Sequence, residues 1–150
     1  MITNAYRFPV SVRWLEGRQT EASVHGKPPL HVATPPEFRG GVTGVWSPED
    51  LLVGAAASCY TVTLVAVAER RGVPIRGLTV EGSGLITQRD DGRLGFTLIE
   101  LLVELDTEPG HEEAAERAAQ AAEKGCFVSM ALDVPLRVHV QVRVHEATLA

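Results

Sequence analysis

Two residues in this chain are equipped for thiol chemistry, Cys59 and Cys126, and the 150-residue sequence holds no other cysteine. In a reducing compartment two cysteines are rarely a structural disulfide; they are inert core thiols or a redox pair. Their local settings differ. Cys59 falls in the middle of an apolar segment, where a free thiol packs as a small hydrophobe. A thiol deep in a helix gains nothing from that helix's own N-terminus, so a reactive Cys59 requires a cation brought close from elsewhere. Cys126 follows Lys124-Gly125, where one helix ends and a shorter one can begin. That position would face the cysteine with backbone N–H groups that favour thiolate, and Cys126-Phe127-Val128-Ser129 has C-x-x-S spacing.

Three charged residues could serve such thiols. Glu49 lies in the first turn of the predicted helix, where an acid also stabilises the helix dipole. Arg18 and Arg39 both lie beside glycines in loops, where plain solvation accounts for them equally well. The five histidines show no H-x-x-x-H and no Cys–His ligand spacing, so no metal site is expected. There is no G-x-S-x-G elbow. The Gly-rich stretch from Thr34 to Trp46 lacks a G-x-x-x-x-G-K-[ST] phosphate loop. No cofactor is expected.

Bulk properties narrow the partners. A net charge of −5, with no basic run longer than Arg70-Arg71, disfavours a nucleic-acid backbone. The opening MITNAYRF lacks the basic and apolar regions of a signal peptide, so a cytoplasmic location is expected. Leu51 to Ala68 reaches the roughly 18 apolar residues of a membrane-span candidate. It carries Gly54, Ser58, Cys59, Thr61 and Thr63 among amphipathic strands and reads as a buried helix, with no membrane partner.

The positioning elements follow from periodicity. Phe8, Val10, Val12 and Trp14 alternate with Arg7, Ser11 and Arg13, giving a half-buried strand over Tyr6 to Glu16. Glu21 to Thr34 gives two short strands about a turn at Gly26-Lys27-Pro28-Pro29. Ser47-Pro48-Glu49-Asp50 is a helix start with the pieces of a capping box. That helix runs to about Arg71, stops at Gly72, and is apolar on all sides, which places it in the middle of an assembly. Strands over Arg76 to Gln88 and Gly95 to Asp106 meet at Asp90-Asp91-Gly92. A helix from near Pro109 to Gly125 turns Ala114, Ala115, Ala118, Ala119 and Ala122 inward. A short helix over Cys126 to Leu132 and a strictly alternating strand over Leu136 to Val144 complete the chain. Apolar residues at 45% suffice for one core, and the layout predicts a single domain over residues 1–150, of α+β class, with an antiparallel sheet packed on helices.

Ser47-Pro48-Glu49-Asp50-Leu51-Leu52, Ala55-Ala56-Ala57-Ser58-Cys59 and Lys124-Gly125-Cys126-Phe127-Val128-Ser129, in this order and spacing, resemble the OsmC/Ohr family of bacterial hydroperoxide reductases. The resemblance spans nearly the whole chain. It implies an intertwined homodimer with antiparallel sheets wrapped around central helices. It implies that Cys59 attacks an organic hydroperoxide, or hydrogen peroxide, and that Cys126 resolves the sulfenic acid as a disulfide. It implies a dithiol reductant, such as a lipoylated protein, and a role for Glu49 and an arginine in oxidative-stress defence. The Ohr branch carries that arginine in a segment like Gly17-Arg18, and the OsmC branch in a loop like Phe38-Arg39-Gly40. Trp46, standing where a small polar residue is common, matches the OsmC-like branch.

One inference needs no relative. Glu49 and Cys59 are ten residues apart on one predicted helix, hence about 15 Å along its axis. If both touch one peroxide, Glu49 comes from a second copy of the chain. The competing readings are a non-catalytic small-molecule-binding dimer with inert thiols, and a cysteine acyl transferase or hydrolase needing a histidine near Cys59.

Overall fold

The computed structural model describes residues 4–146, which fall into two compact units divided between Leu51 and Leu52. The fold is α+β, with one three-stranded sheet in each unit.

In the first unit β1 (Ser11–Glu16), β2 (Gln19–Ser23) and β3 (Leu30–Ala33) form an antiparallel meander. Gly17 adopts φ +51°, in the left-handed region open to glycine, and turns the chain from β1 into β2. The expected turn around Gly26 to Pro29 joins β2 to β3. Val32 and Ala33 are buried, and the Ala33 N–H donates to the Trp46 carbonyl at 2.9 Å. The expected half-buried N-terminal strand is shorter and barer than its pattern predicts. Residues 4–10 form no strand, and Phe8, Val10, Val12 and Trp14 are all exposed. β1 is an edge strand, and among the described residues its apolar row has no covering layer.

The helix start is built as its sequence requires. The Ser47 N–H donates to Asp50 Oδ2 at 2.9 Å and the Asp50 N–H donates to Ser47 Oγ at 3.0 Å, a reciprocal capping box. From it α1 (Pro48–Arg71) runs unbroken. It ends at Gly72, φ +66°, with the Val73 N–H returned to the Ala68 carbonyl at 2.9 Å. α1 is long and apolar enough to cross a membrane by length and composition. Here it buries Ala56, Tyr60, Leu64, Val67 and Ala68, while Val62 remains exposed.

The second unit contains β4 (Gly77–Gln88), β5 (Leu94–Thr107), α2 (Glu112–Gly125), α3 (Phe127–Ala131) and β6 (Leu136–Val144), in sheet order β4-β5-β6. β5 is the centre. Its alternate residues Ile99, Leu101, Val103 and Leu105 are buried together with Tyr60 and Leu64 of α1 and with Ala115, Ala118, Ala119 and Ala122 of α2. The opposite face of β5 carries Glu100 and Glu104, paired with His139 (3.0 Å) and Arg143 of β6. The β4–β5 hairpin is antiparallel as expected, but β6 runs parallel to β5, so the sheet is mixed rather than purely antiparallel. The physical reason is the α2–α3 connection between them, long enough to return the chain to the same end of the sheet. Glycines let α1 approach β4: a Cβ at Gly82 would lie 2.8 Å from Val53 Cγ1, and one at Gly84 would lie 2.8 Å from Val53 Cγ2 and 2.5 Å from Phe96.

Two substitutions check this architecture. Ser47→Ala should lower unfolding free energy by about 1 kcal/mol in a urea titration through loss of the cap. Gly84→Ala should lower it by about 1–3 kcal/mol through overpacking; an unchanged midpoint would mean that helix and strand are not in close contact.

Candidate functional site

Both thiols lie in the second unit, and the fold brings them together. Cys59 is at mid-helix in α1, half-buried on the flank of the core. Cys126 is the single extended residue between α2 and α3, with φ −77° and ψ 111°, and is fully buried. Its carbonyl accepts the Met130 N–H at 3.1 Å and so begins α3. Both are free thiols, and they pack in the same core cluster near each other.

The environment of Cys59 differs from the expected one. Partial burial pushes its thiol up. The Val128 N–H, the Cys126 side chain, the Phe127 N–H and the Thr63 hydroxyl beside it outweigh that and hold it below the ordinary value of 9.0. The backbone N–H groups at the start of α3 were expected to serve Cys126; those of Phe127 and Val128 also favour the Cys59 thiolate. The requirement for a cation beside Cys59 is therefore met in part by amides. A mid-helix thiol cannot use its own helix's donors, but it can use those of another segment docked against it.

Neighbouring residues fix this arrangement. Tyr60 Oη donates to the Ala119 carbonyl at 3.1 Å, tying α1 to α2. Burial, with Glu123 and Cys126 nearby, pushes the Tyr60 phenol up and keeps it a donor. Thr63 Oγ1 donates to the Cys59 carbonyl at 2.7 Å. Phe127 and Met130, one turn apart on α3, are exposed at 80% and 63%. They give the site an apolar border that the solvent reaches. Sequence reasoning missed Thr63 and the two amides. Thr63 was readable, because a residue four positions after Cys59 shares its helix face; the amides required the docking of α3.

The charged candidates lie in the first unit. Glu49 is in the first turn of α1, and its Oε2 is buried without a hydrogen-bond partner among the described residues. The Arg18 side chain lies against Gly40, the residue after Arg39: a Cβ at Gly40 would lie 3.0 Å from Arg18 Cδ. Among the described residues no group of three His, Cys, Asp or Glu could hold a metal.

The family described as OsmC-like protein matches residues 41–141, a span holding the capping box, both cysteines and most of the second unit. The chain belongs to the OsmC-like protein family. The uncharacterised protein YmaD of Bacillus subtilis (strain 168) is 26% identical over 145 residues, covering 92% of this chain and 95% of its own. An OsmC-like protein of unknown function from Vibrio cholerae superposes with a TM-score of 0.84 at 14% identity, over 91% of this chain and all of the other. An organic hydroperoxide resistance protein from Elizabethkingia anophelis superposes with a TM-score of 0.76 at 20% identity, over 96% of this chain and all of the other. These likenesses establish the OsmC-like fold.

A depressed Cys59 has a direct consequence for pH dependence. Its thiolate fraction persists below the pH at which an ordinary thiol protonates, so the rate of iodoacetamide labelling should have its midpoint below pH 9.0. Cys126, fully buried, should label only after unfolding. A Cys59 midpoint at or above that of free cysteine would contradict this stabilisation of its thiolate.

Proposed function

We propose that this OsmC-like protein is a thiol-dependent peroxidase that reduces organic hydroperoxides in oxidative-stress defence, in the cytoplasm. The observation that carries this reading is the pairing of a half-buried Cys59, its thiol held below the ordinary range, with a fully buried Cys126 beside it. In the reaction the Cys59 thiolate attacks the distal oxygen of the hydroperoxide, the O–O bond breaks, and the alkoxide leaves and takes a proton as the alcohol. Cys59 is then a sulfenic acid. The Cys126 thiol attacks its sulfur, water leaves, and a Cys59–Cys126 disulfide forms. A dithiol, such as a lipoylated protein, reduces it by exchange and departs as its own disulfide.

The charged residues complete the scheme. A guanidinium from Arg18 or Arg39 assists the thiolate and the departing oxygen, and Glu49 holds that guanidinium in a bidentate pair. The unpartnered Oε2 of Glu49 is the kind of buried acceptor such a pair satisfies. Because α1 is unbroken from Pro48 to Arg71, Glu49 and Cys59 are about 15 Å apart along the helix axis. The Glu49 that serves a given Cys59 therefore belongs to a second copy of the chain. A homodimer also gives the bare apolar row of β1 and the exposed Val62 of α1 something to pack against. Exposed Phe127 and Met130, with exposed Trp46, favour a peroxide with an apolar tail over hydrogen peroxide.

Peroxide consumption with dihydrolipoamide as reductant tests the reading. Cumene hydroperoxide should turn over faster than hydrogen peroxide, and Cys59→Ser should abolish turnover with both. Full activity in Cys59→Ser would sink the mechanism, and no turnover in the natural protein would favour a non-catalytic binding dimer. Cys126→Ser should accumulate a dimedone-reactive sulfenic acid and lose activity over successive turnovers. Arg18→Ala and Arg39→Ala, assayed separately, should differ, with the true thiolate partner alone raising the pH at which Cys59 labels.

A further inference from the structure

Two threonines of α1 make the same local bond. Thr61 Oγ1 donates to the Ala57 carbonyl and Thr63 Oγ1 donates to the Cys59 carbonyl, each at 2.7 Å. A bond of this kind, from a helical threonine to the carbonyl four residues earlier, ordinarily only satisfies the hydroxyl. Thr63 has surroundings that Thr61 does not share. Its hydroxyl is also one of the groups that hold the Cys59 thiol down. Its methyl Cγ2 lies 3.4 Å from where a Cβ on Gly125 would stand. Thr63 therefore fills the gap between Cys59 and the Lys124-Gly125-Cys126 junction, with its hydroxyl towards one cysteine and its methyl towards the residue before the other.

We propose that Thr63 is a positioning residue for Cys59, its hydroxyl holding the Cys59 side chain against Cys126 and the first amides of α3. The inference rests on Cys59 being the reacting thiol, and not on which peroxide it meets. The Cys59 carbonyl also accepts the Thr63 N–H in the helical ladder, so it keeps a partner when the hydroxyl turns away. With Cys59 as a thiol, the hydroxyl donates to the carbonyl. When Cys59 ionises, the hydroxyl rotates about one bond and donates to the sulfur, adding a third donor to the Phe127 and Val128 amides. The methyl, seated at Gly125, keeps the Thr63 side chain from swinging out with it.

Four variants of the full chain decide the matter, read by the pH profile of Cys59 labelling with iodoacetamide and by the rate of intramolecular disulfide formation with diamide. Thr63→Val keeps the shape and removes the hydroxyl. It should slow labelling at pH 7 about fivefold, the effect of about one ordinary hydrogen bond, and move the labelling midpoint upward. Thr63→Ala, a second hydroxyl-free variant that serves if valine disturbs folding, should show the same slowing. Thr63→Ser should restore the natural profile, and Thr61→Val should leave it unchanged. A Thr63→Val profile that superimposes on the natural one, a Thr63→Ser profile that stays slow, or an equal slowing in Thr61→Val would each overturn the proposal. Neither reagent is a peroxide. A protein that shows the Thr63 dependence without consuming peroxide refutes the peroxidase reading alone, and one that consumes peroxide without the dependence refutes the positioning role alone.

Discussion

The docking of the Phe127 and Val128 amides beside Cys59, where they favour its thiolate, is what the rest of the site depends on. A cysteine halfway along an apolar helix has no intrinsic reason to ionise, and burial works against it. Here the opposing donors come from a five-residue helix more than sixty positions later in the chain. Their placement requires the whole second unit. α2 must dock on α1 through its alanine face, Tyr60 must reach the Ala119 carbonyl, and the chain must turn at Cys126 in an extended conformation. The same turn that aims the amides at Cys59 buries the second sulfur beside it. One backbone event thus sets both the reactivity of the first thiol and the reach of the second.

Where the chemistry is local, the sequence was legible. Ser47 and Asp50 announced a capping box, and both of its hydrogen bonds are present. The strand read from Leu136 to Val144 has the bounds of β6, with Leu136, Val138 and Val142 packed on the core and Val140 and Val144 exposed. Alanines at helical spacing marked the buried face of α2, with Ala114 at its edge. Where the outcome depends on which segments meet, it was not. Nothing in the β6 alternation distinguishes a parallel from an antiparallel neighbour, because both present one face. The apolar row of β1 predicted burial, and periodicity cannot say whether the covering surface belongs to the same chain. The α3 amides were assigned to the cysteine beside them in sequence, and helix packing brings them to the other one as well.

The two arginine candidates show the same limit in another form. By sequence Arg18 and Arg39 were alternatives, one for each branch of the resemblance. In the folded first unit the Arg18 side chain lies over Gly40, the residue after Arg39. The glycine is what allows this, since a Cβ there would press on the Arg18 stem at 3.0 Å. Hairpin and loop therefore meet at Gly40, bringing the segment of Arg18 against the segment of Arg39.

The position of Cys126, after α2 and before β6, has a topological consequence. A bond from Cys59 to Cys126 closes a covalent ring that contains β4, β5 and α2 and leaves β6 outside. Ring closure restricts the unfolded chain and so steadies whatever it encloses. β6 receives none of that restraint. It is an edge strand, held to the ringed part by its parallel ladder on β5 and by exposed pairs such as His139 with Glu100. Oxidation would thus divide the second unit into a tethered majority and one untethered strand, and amide exchange in β6 would become the fastest of the sheet when the thiols are joined.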